Sequence, residues 1–369
     1  MPRNIDDTSD EGSSLRSLLL VGLAFAAGYL FGRGSGSERE SAVGGVTEDE
    51  GTAVDVTDGE RAAEAGAQAQ EPEMEAVDEP DVSEIVTDIE IDEAVTELSA
   101  PTDRGMPMLG LGTYEMDDYG ECFQSVLTAL EMGYRHVDTA QGYDNEEAVG
   151  DAIAASDVPR EDVFVATKVT PDNLAYDHVI QSTEASLERL GLDYVDLLYV
   201  HWPTGEYEPQ DTLEAFAELR DEGLVDEIGV SNFTVDLLEE AVDVAPEPIF
   251  ADQVEMHPML PQEDLREFCD QEDVDVELVA YSPVARGAVD DVEALQDVAE
   301  KHDATPAQVA LAWLREHGVT AIPKASSRDH LRENWLSLDV DLDEEDVAAV
   351  DDVGRTERLV DPDAAPWNE

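Results

Sequence analysis

From about residue 95 onward the chain alternates two hydrophobic rhythms. Short runs rich in β-branched and aromatic residues fall at 108–114, 135–140, 163–169, 195–202, 227–233, 249–256, 277–283 and 319–325. Between them lie amphipathic stretches with a period near 3.6, such as DHVIQSTEASLERLG, closed by Gly191, and DTLEAFAELRDEG, opened by Asp211 and closed by Gly223. Eight strand–helix units in about 270 residues predict an α/β fold of the (β/α)8 TIM-barrel type, since a doubly wound sheet rarely needs eight evenly spaced parallel strands. A Rossmann site is disfavoured: the first strand leads into GLGTYE, where Glu115 takes the place of the last glycine of G-x-G-x-x-G.

The first 94 residues read differently. Residues 17–32 are uncharged and sit between Arg16 and Arg33. As a helix they span about 24 Å, a little short of a bilayer core of roughly 30 Å, and the flanking arginine stems can snorkel across the difference. Residues 1–34 are therefore expected to hold a tail and a transmembrane helix that anchors a cytoplasmic catalytic domain to the cell membrane. A signal peptide fits less well, because no small-residue cleavage site follows and a twin-arginine pair is absent. Ala24, Gly28 and Gly32 repeat every four residues, a stripe that would let two such helices touch. Residues 35–94 are acidic and poor in aromatics, which predicts a disordered linker leading to a barrel over 95–369.

Charge sharpens this picture. The formal net charge is -70, from 90 acidic and 20 basic residues. Residues 1–100 carry 25 acidic and 5 basic residues, so the remaining 65 and 15 leave the barrel acidic in its own right. Such self-repulsion becomes tolerable in molar salt, where the Debye length falls to about 3 Å, and the composition points to a halophilic, haloarchaeal source. Binding to nucleic acid is excluded as a main function, because phosphate neutralisation needs a basic face. Cys122 and Cys269 form no metal pattern and read as buried thiols of a reducing compartment; no metal is expected, and the barrel is expected to be monomeric.

Only three lysines occur, and two of them, Lys168 and Lys324, stand at predicted strand ends. Asp138, His201, Ser231 with Asn232, Gln253 and Tyr281 occupy the corresponding ends of other strands, where barrel chemistry collects. Taken singly each has a bland reading: Asp138 as a helix cap, His201 as a satisfied interior histidine, Tyr143 as loop packing. The run GYRHVDTAQGYDNEEAVG (133–150) changes that weighting, because it resembles the first signature of the aldo-keto reductases, with Glu146 and Gly150 in their expected places. TK (167–168), HWP (201–203), GVSNF (229–233), QVEMHP (253–258), AYSP (280–283) and IPK (322–324) follow in family order, and the ending RLVDPDAAPWNE is similar to that of the prokaryotic 2,5-diketogluconate reductase-like branch.

The resemblance implies a reductase of aldehydes, ketones or keto-sugars, with Asp138, Tyr143, Lys168 and His201 as its catalytic tetrad. Carbonyl reduction needs a proton at oxygen as negative charge develops there. Tyr143 is the implied acid. A phenol of pKa about 10 needs roughly 4 kcal/mol of differential stabilisation to approach 7, and an ammonium from Lys168, held by Asp138, is a neighbour of the right kind. His201 is expected to hydrogen-bond the substrate oxygen, with Tyr114 and Trp202 lining the substrate pocket.

For the cofactor, the resemblance implies that Tyr281 stacks on the nicotinamide, that Ser231, Asn232 and Gln253 bind its carboxamide, and that Thr113 and Ser282 lie alongside. Lys324 would hold the 2′-phosphate of NADP(H), with Ser326, Arg328, His330 and Asn334 completing the adenosine side. The chain departs from the family at Ala325, where a serine is usual, and at His330, where an arginine is usual. Between Lys324 and Arg332, however, stand three fixed cations and one acid, a local reversal of the acidic background that favours NADPH over NADH. A second reading stays open: this barrel also serves as a cofactor-binding regulatory subunit, here tethered to a membrane. A third makes the first 90 residues a surface or assembly module with the reductase as its cargo.

Overall fold

In the computed structural model, which describes Val95 and residues 98–271 and 274–368, all eight predicted runs contribute a parallel strand. A two-stranded hairpin, β1 (Thr102–Asp103) and β2 (Met106–Pro107), comes first. It is followed by β3 (Leu111–Gly112), β4 (His136–Asp138), β5 (Phe164–Val169), β6 (Val195–Val200), β7 (Val225–Ser231), β8 (Ile249–Glu255), β9 (Glu277–Tyr281) and β10 (Thr320–Ala321), each paired with the next in sequence. Parallel bridges from Leu109 to Ala321 and from Gly112 to Lys324 bring the first strand against the last and close the sheet into a barrel.

Ten helices connect and surround the strands among the described residues: α1 (Tyr119–Met132), α2 (Glu146–Ala155), α3 (Tyr176–Leu190), α4 (Pro209–Asp221), α5 (Val235–Val244), α6 (Glu263–Cys269), α7 (Glu293–His302), α8 (Pro306–Glu316), α9 (Arg328–Trp335) and α10 (Glu344–Asp351). Their ends follow local chemistry. Thr305 and Gln308 form a capping box at the start of α8, with Pro306 preset for its first turn. Gly191, at φ 62°, closes α3 where the sequence places the stop. Helix α4 starts two residues ahead of the expected Asp211, because Pro209 takes the first helical position and Glu208 the cap.

Strand alternation divides the core in two. Outward residues such as Val165, Leu198, Val200, Ile228 and Val230 pack under the helices. Inward residues Ala166, Leu197, Tyr199, Phe250, Val279 and Ile322 fill the barrel, with Met106 of the hairpin packed among them. Arg104, also on the hairpin, lies 4.9 Å from the Phe250 ring centre. Lys301, which the sequence leaves as mere helix surface, ties α7 to the start of α10 through Asp343 and Asp346, at 2.7 Å each.

The predicted transmembrane segment (17–32) and acidic linker (35–94) lie outside the described residues. Among the described residues no helix is long and apolar enough to cross a membrane.

Candidate active site

A cavity of about 680 Å3 opens at the C-terminal ends of the strands. Beneath it, three side chains from β4, β5 and β8 are joined. Asp138 ends β4 and Lys168 lies near the end of β5, and alternation turns both inward, where they are essentially sealed from solvent at 2% and 0% exposure. The Lys168 ammonium pairs directly with Asp138 Oδ1, donates to the Thr139 carbonyl at 2.9 Å, and lies 3.4 Å from the Tyr143 hydroxyl. Gln253 of β8 donates to the other carboxylate oxygen at 2.7 Å. Asp138 is thus held at both oxygens, and the lysine is held by Asp138.

Tyr143 ends a short 3-10 turn (Gln141–Tyr143) after β4, and His201 follows β6 directly. Their rings meet edge to face with centres 5.6 Å apart, and Tyr114 packs against Tyr143 at 5.2 Å. All four tetrad residues therefore come together, with Asp138, Tyr143 and His201 lining the cavity and Lys168 just beneath it.

The electrostatics differ from the expectation at Tyr143. Burial pushes its phenol well above 10, and the Asp138 charge adds to that shift. Lys168 does not bring it toward neutrality here, because its charge is offset by the direct pairing with Asp138, while burial lowers its own pKa. His201 is pushed down to about 3 by burial and by the Lys168 charge, so its imidazole is neutral across the physiological range. A neutral ring carries one N–H for donation and cannot itself serve as a strong acid.

One wall of the cavity is a polar relay. Ser231 donates to the Gln253 carbonyl at 2.7 Å, Asn232 donates to the His201 carbonyl at 2.9 Å, and Tyr281 donates to Asn232 Oδ1 at 2.8 Å. Asn232 and Ser282 sit at φ 66° and 50°, and Glu115 and Arg286, at 60° and 51°, also line the cavity. Left-handed backbone costs a non-glycine residue on the order of 1 kcal/mol, so strain is concentrated around this opening. Thr113 lies behind the lining, donating its hydroxyl to the Asp138 carbonyl at 3.1 Å.

Of the expected adenosine-side residues only Lys324 lines the cavity. Its ammonium is 3.2 Å from the Ser326 hydroxyl and 3.8 Å from Glu121. Arg328 and His330 stand exposed on the first turn of α9, which Ser327 caps, and Asn334 is buried farther along the same helix.

Two features escaped the sequence reading. Arg286 reaches the lining from the strained turn after β9. The segment from Leu359 to Pro362 forms part of the wall. Trp202 and Tyr114 line the cavity as expected, and Trp202 meets Trp367 of the tail with ring centres 5.7 Å apart.

A closed (β/α)8 barrel with an Asp–Lys–Tyr–His cluster at its C-terminal mouth defines a class of oxidoreductase. The chain belongs to the aldo/keto reductase family, whose model matches residues 108–355. It is 40% identical over 268 residues to the methylglyoxal reductase DkgB of Escherichia coli O157:H7, covering 71% of this chain and 99% of that one. Against the glyoxal reductase of Bacillus subtilis (strain 168) it is 41% identical over 254 residues, covering 69% and 91%. A crystal structure of a putative 2,5-diketo-D-gluconic acid reductase B superposes with a TM-score of 0.67 at 38% identity, covering 70% of this chain and 92% of the other. The protein is accordingly an oxidoreductase that reduces carbonyl compounds with a nicotinamide cofactor, and the regulatory-subunit reading is not favoured.

Proposed function

We propose that this protein is an NADPH-dependent reductase of small aldehydes and dicarbonyls in which Tyr143 delivers the proton. The observation that carries this reading is the Lys168 ammonium, pinned between Asp138 and the Tyr143 hydroxyl at the floor of a cavity large enough for a nicotinamide and a small carbonyl. The lining fits such a cofactor: Tyr281 offers an aromatic face, Ser231, Asn232 and Gln253 offer amide-binding groups, and Arg286 and Lys324 offer cations for phosphates. When bound, the nicotinamide supplies the hydride.

The chain's own residues do the rest. His201, neutral, donates its N–H to the substrate oxygen and orients it against the Tyr143 hydroxyl. As charge gathers on that oxygen the Tyr143 proton moves to it, and the phenolate left behind faces the Lys168 ammonium at 3.4 Å. The high pKa of Tyr143 keeps the proton in place until that moment. Tyr114 and Trp202 bound the space for the remainder of the substrate.

Lys324, with Ser326 and the exposed Arg328 at the capped start of α9, supports the preference for NADPH, since a helix N-terminus and two cations favour a 2′-phosphate. His330 and Asn334 would complete the adenosine contact. We further propose that residues 17–32 tether the catalytic domain to the membrane through the 35–94 linker, on the strength of their uncharged composition. The deciding experiment is cofactor oxidation in molar KCl with methylglyoxal, glyoxal and 2,5-diketogluconate, each with NADPH and NADH. Absence of turnover with every pair would sink the reductase assignment, and equal efficiency with both cofactors would sink the phosphate-site reading. Recovery of the full-length protein in the soluble fraction would remove the tether.

A further inference from the structure

The end of β8 holds a buried carboxylate that hydride and proton transfer do not use. Glu255 is 0% exposed. Its Oε1 lies 3.0 Å from His257 Nε2 and accepts the Leu359 backbone N–H at 2.7 Å, while Oε2 accepts the Val360 N–H at 2.8 Å. Burial pushes this carboxyl up, but the bonds from His257 and the two amides outweigh that and hold it below its ordinary value, so it stays ionised. One residue earlier in sequence than the latched pair, Arg358 lies 4.0 Å over the Trp367 ring, and Trp367 donates to Asp361 at 2.9 Å while facing Trp202. Leu359, Val360 and Asp361 line the cavity.

We infer that Glu255 is a positioning residue for the carbonyl substrate: it latches residues 359–360 and so fixes the tail, with Trp367, against Trp202 to set the volume on the substrate side. The inference rests on the reductase reading above. Two charge-assisted bonds from consecutive amides fix both the height and the direction of the segment, which a single bond would leave free to swing. Beyond the Glu357 N–H, which donates to the Met259 carbonyl at 2.8 Å, the bonds of the tail up to the 3-10 turn Pro366–Asn368 run mostly within the tail itself, so Glu255 is the node that ties residues 359–360 to the barrel. The backbone of Glu255 also pairs with Tyr281, so a purely structural role for the residue would show itself on the cofactor side instead.

The test uses the full chain in molar KCl. Glu255→Gln keeps the shape but removes the charge, and Val360→Pro removes the amide that donates to Oε2 while leaving the carboxylate and the Arg358–Leu359 bond intact. For both, KM for methylglyoxal is expected to rise about tenfold, with kcat and NADPH Kd changing less than about twofold. The double variant should show no further rise, since both changes break one linkage. Trypsin cleavage after Arg358, which does not depend on turnover, should accelerate by a similar factor. Unchanged KM and unchanged cleavage in folded Glu255→Gln, or a matching loss of NADPH affinity, overturns the latch. If Glu255→Gln fails to fold, Val360→Pro alone decides by the same readouts. A wild-type protein without turnover counts against the reductase reading, while the cleavage comparison still judges the latch.

Discussion

Two buried acids on one strand show how environment decides what a residue does. Glu255 keeps its charge because three donors surround it. Asp252, three residues earlier and 0% exposed, has no hydrogen-bond partner at either carboxylate oxygen. The Phe233 N–H lies near enough to steady its ionised form slightly, yet burial dominates and pushes the carboxyl well above 3.8. A raised folded-state pKa contributes stability that is fully present below the unfolded value and is lost as pH rises through the folded one. Asp252→Asn should therefore stabilise the protein by about 1–3 kcal/mol at pH 7 and flatten the decline in melting temperature between pH 4 and neutrality. A variant no more stable at pH 7 would show that Asp252 is satisfied in solution. Tyr143→Phe tests the other unusual ionisation: turnover should fall by at least about a thousandfold while NADPH binds almost normally, because the ring remains and only the transferable proton is gone. Near-normal turnover would take Tyr143 out of the acid role.

At the scale of elements, the barrel was legible because each strand must bury both faces and each helix only one, which leaves continuous apolar runs alternating with a 3.6-residue period. Strand ends singled out Asp138, Lys168 and His201 as candidates, and the tetrad as a set, Tyr143 included, was legible only through the motifs that resemble those of the aldo-keto reductases. What the pattern does not carry is contact between elements far apart in the chain. The tail reaches Glu255 across about a hundred residues, and Arg286 reaches the cavity only because the turn before it adopts left-handed backbone. Glu146 and Gly150 were legible as motif positions but not as joints. Glu146 of α2, buried, accepts from Thr167 of β5 at 2.6 Å and from Arg189 of α3 at 2.8 and 2.6 Å. One turn on, a Cβ at Gly150 would fall 1.9 Å from the Leu190 carbonyl, so α2 and the end of α3 approach too closely for any side chain. Gly150→Ala should destabilise the barrel by about 3 kcal/mol, read as a lower urea midpoint with an unchanged m-value. An unchanged midpoint would mean that the two helices separate freely.

For the molecule as a whole, charge density predicts how stability should respond to salt. Residues 101–369 carry 65 acidic and 15 basic residues. Spread over roughly 11,500 Å2, the surface expected of a folded chain of that mass, this leaves one net negative charge per about 230 Å2, or neighbours about 15 Å apart. In water such a pair repels by about 0.3 kcal/mol. A Debye length of about 10 Å at 0.1 M salt cuts that to roughly 0.06 kcal/mol, and one of about 3 Å at 1 M removes nearly all of it. With several neighbours for each charge, the repulsion relieved between dilute and molar salt amounts to several kcal/mol across the barrel. An unfolded chain holds the same charges farther apart, so most of this relief accrues to the native state. At about 2 °C per kcal/mol for a domain of this size, melting temperature should climb by about 10 °C or more between 0.1 and 3 M KCl. Potassium chloride is the informative salt, because sulfate would stabilise by exclusion whatever the charge. A flat profile in KCl would mean that ion pairing among the few cations, such as Lys301 with Asp343 and Asp346, already offsets the acidic surface at low salt.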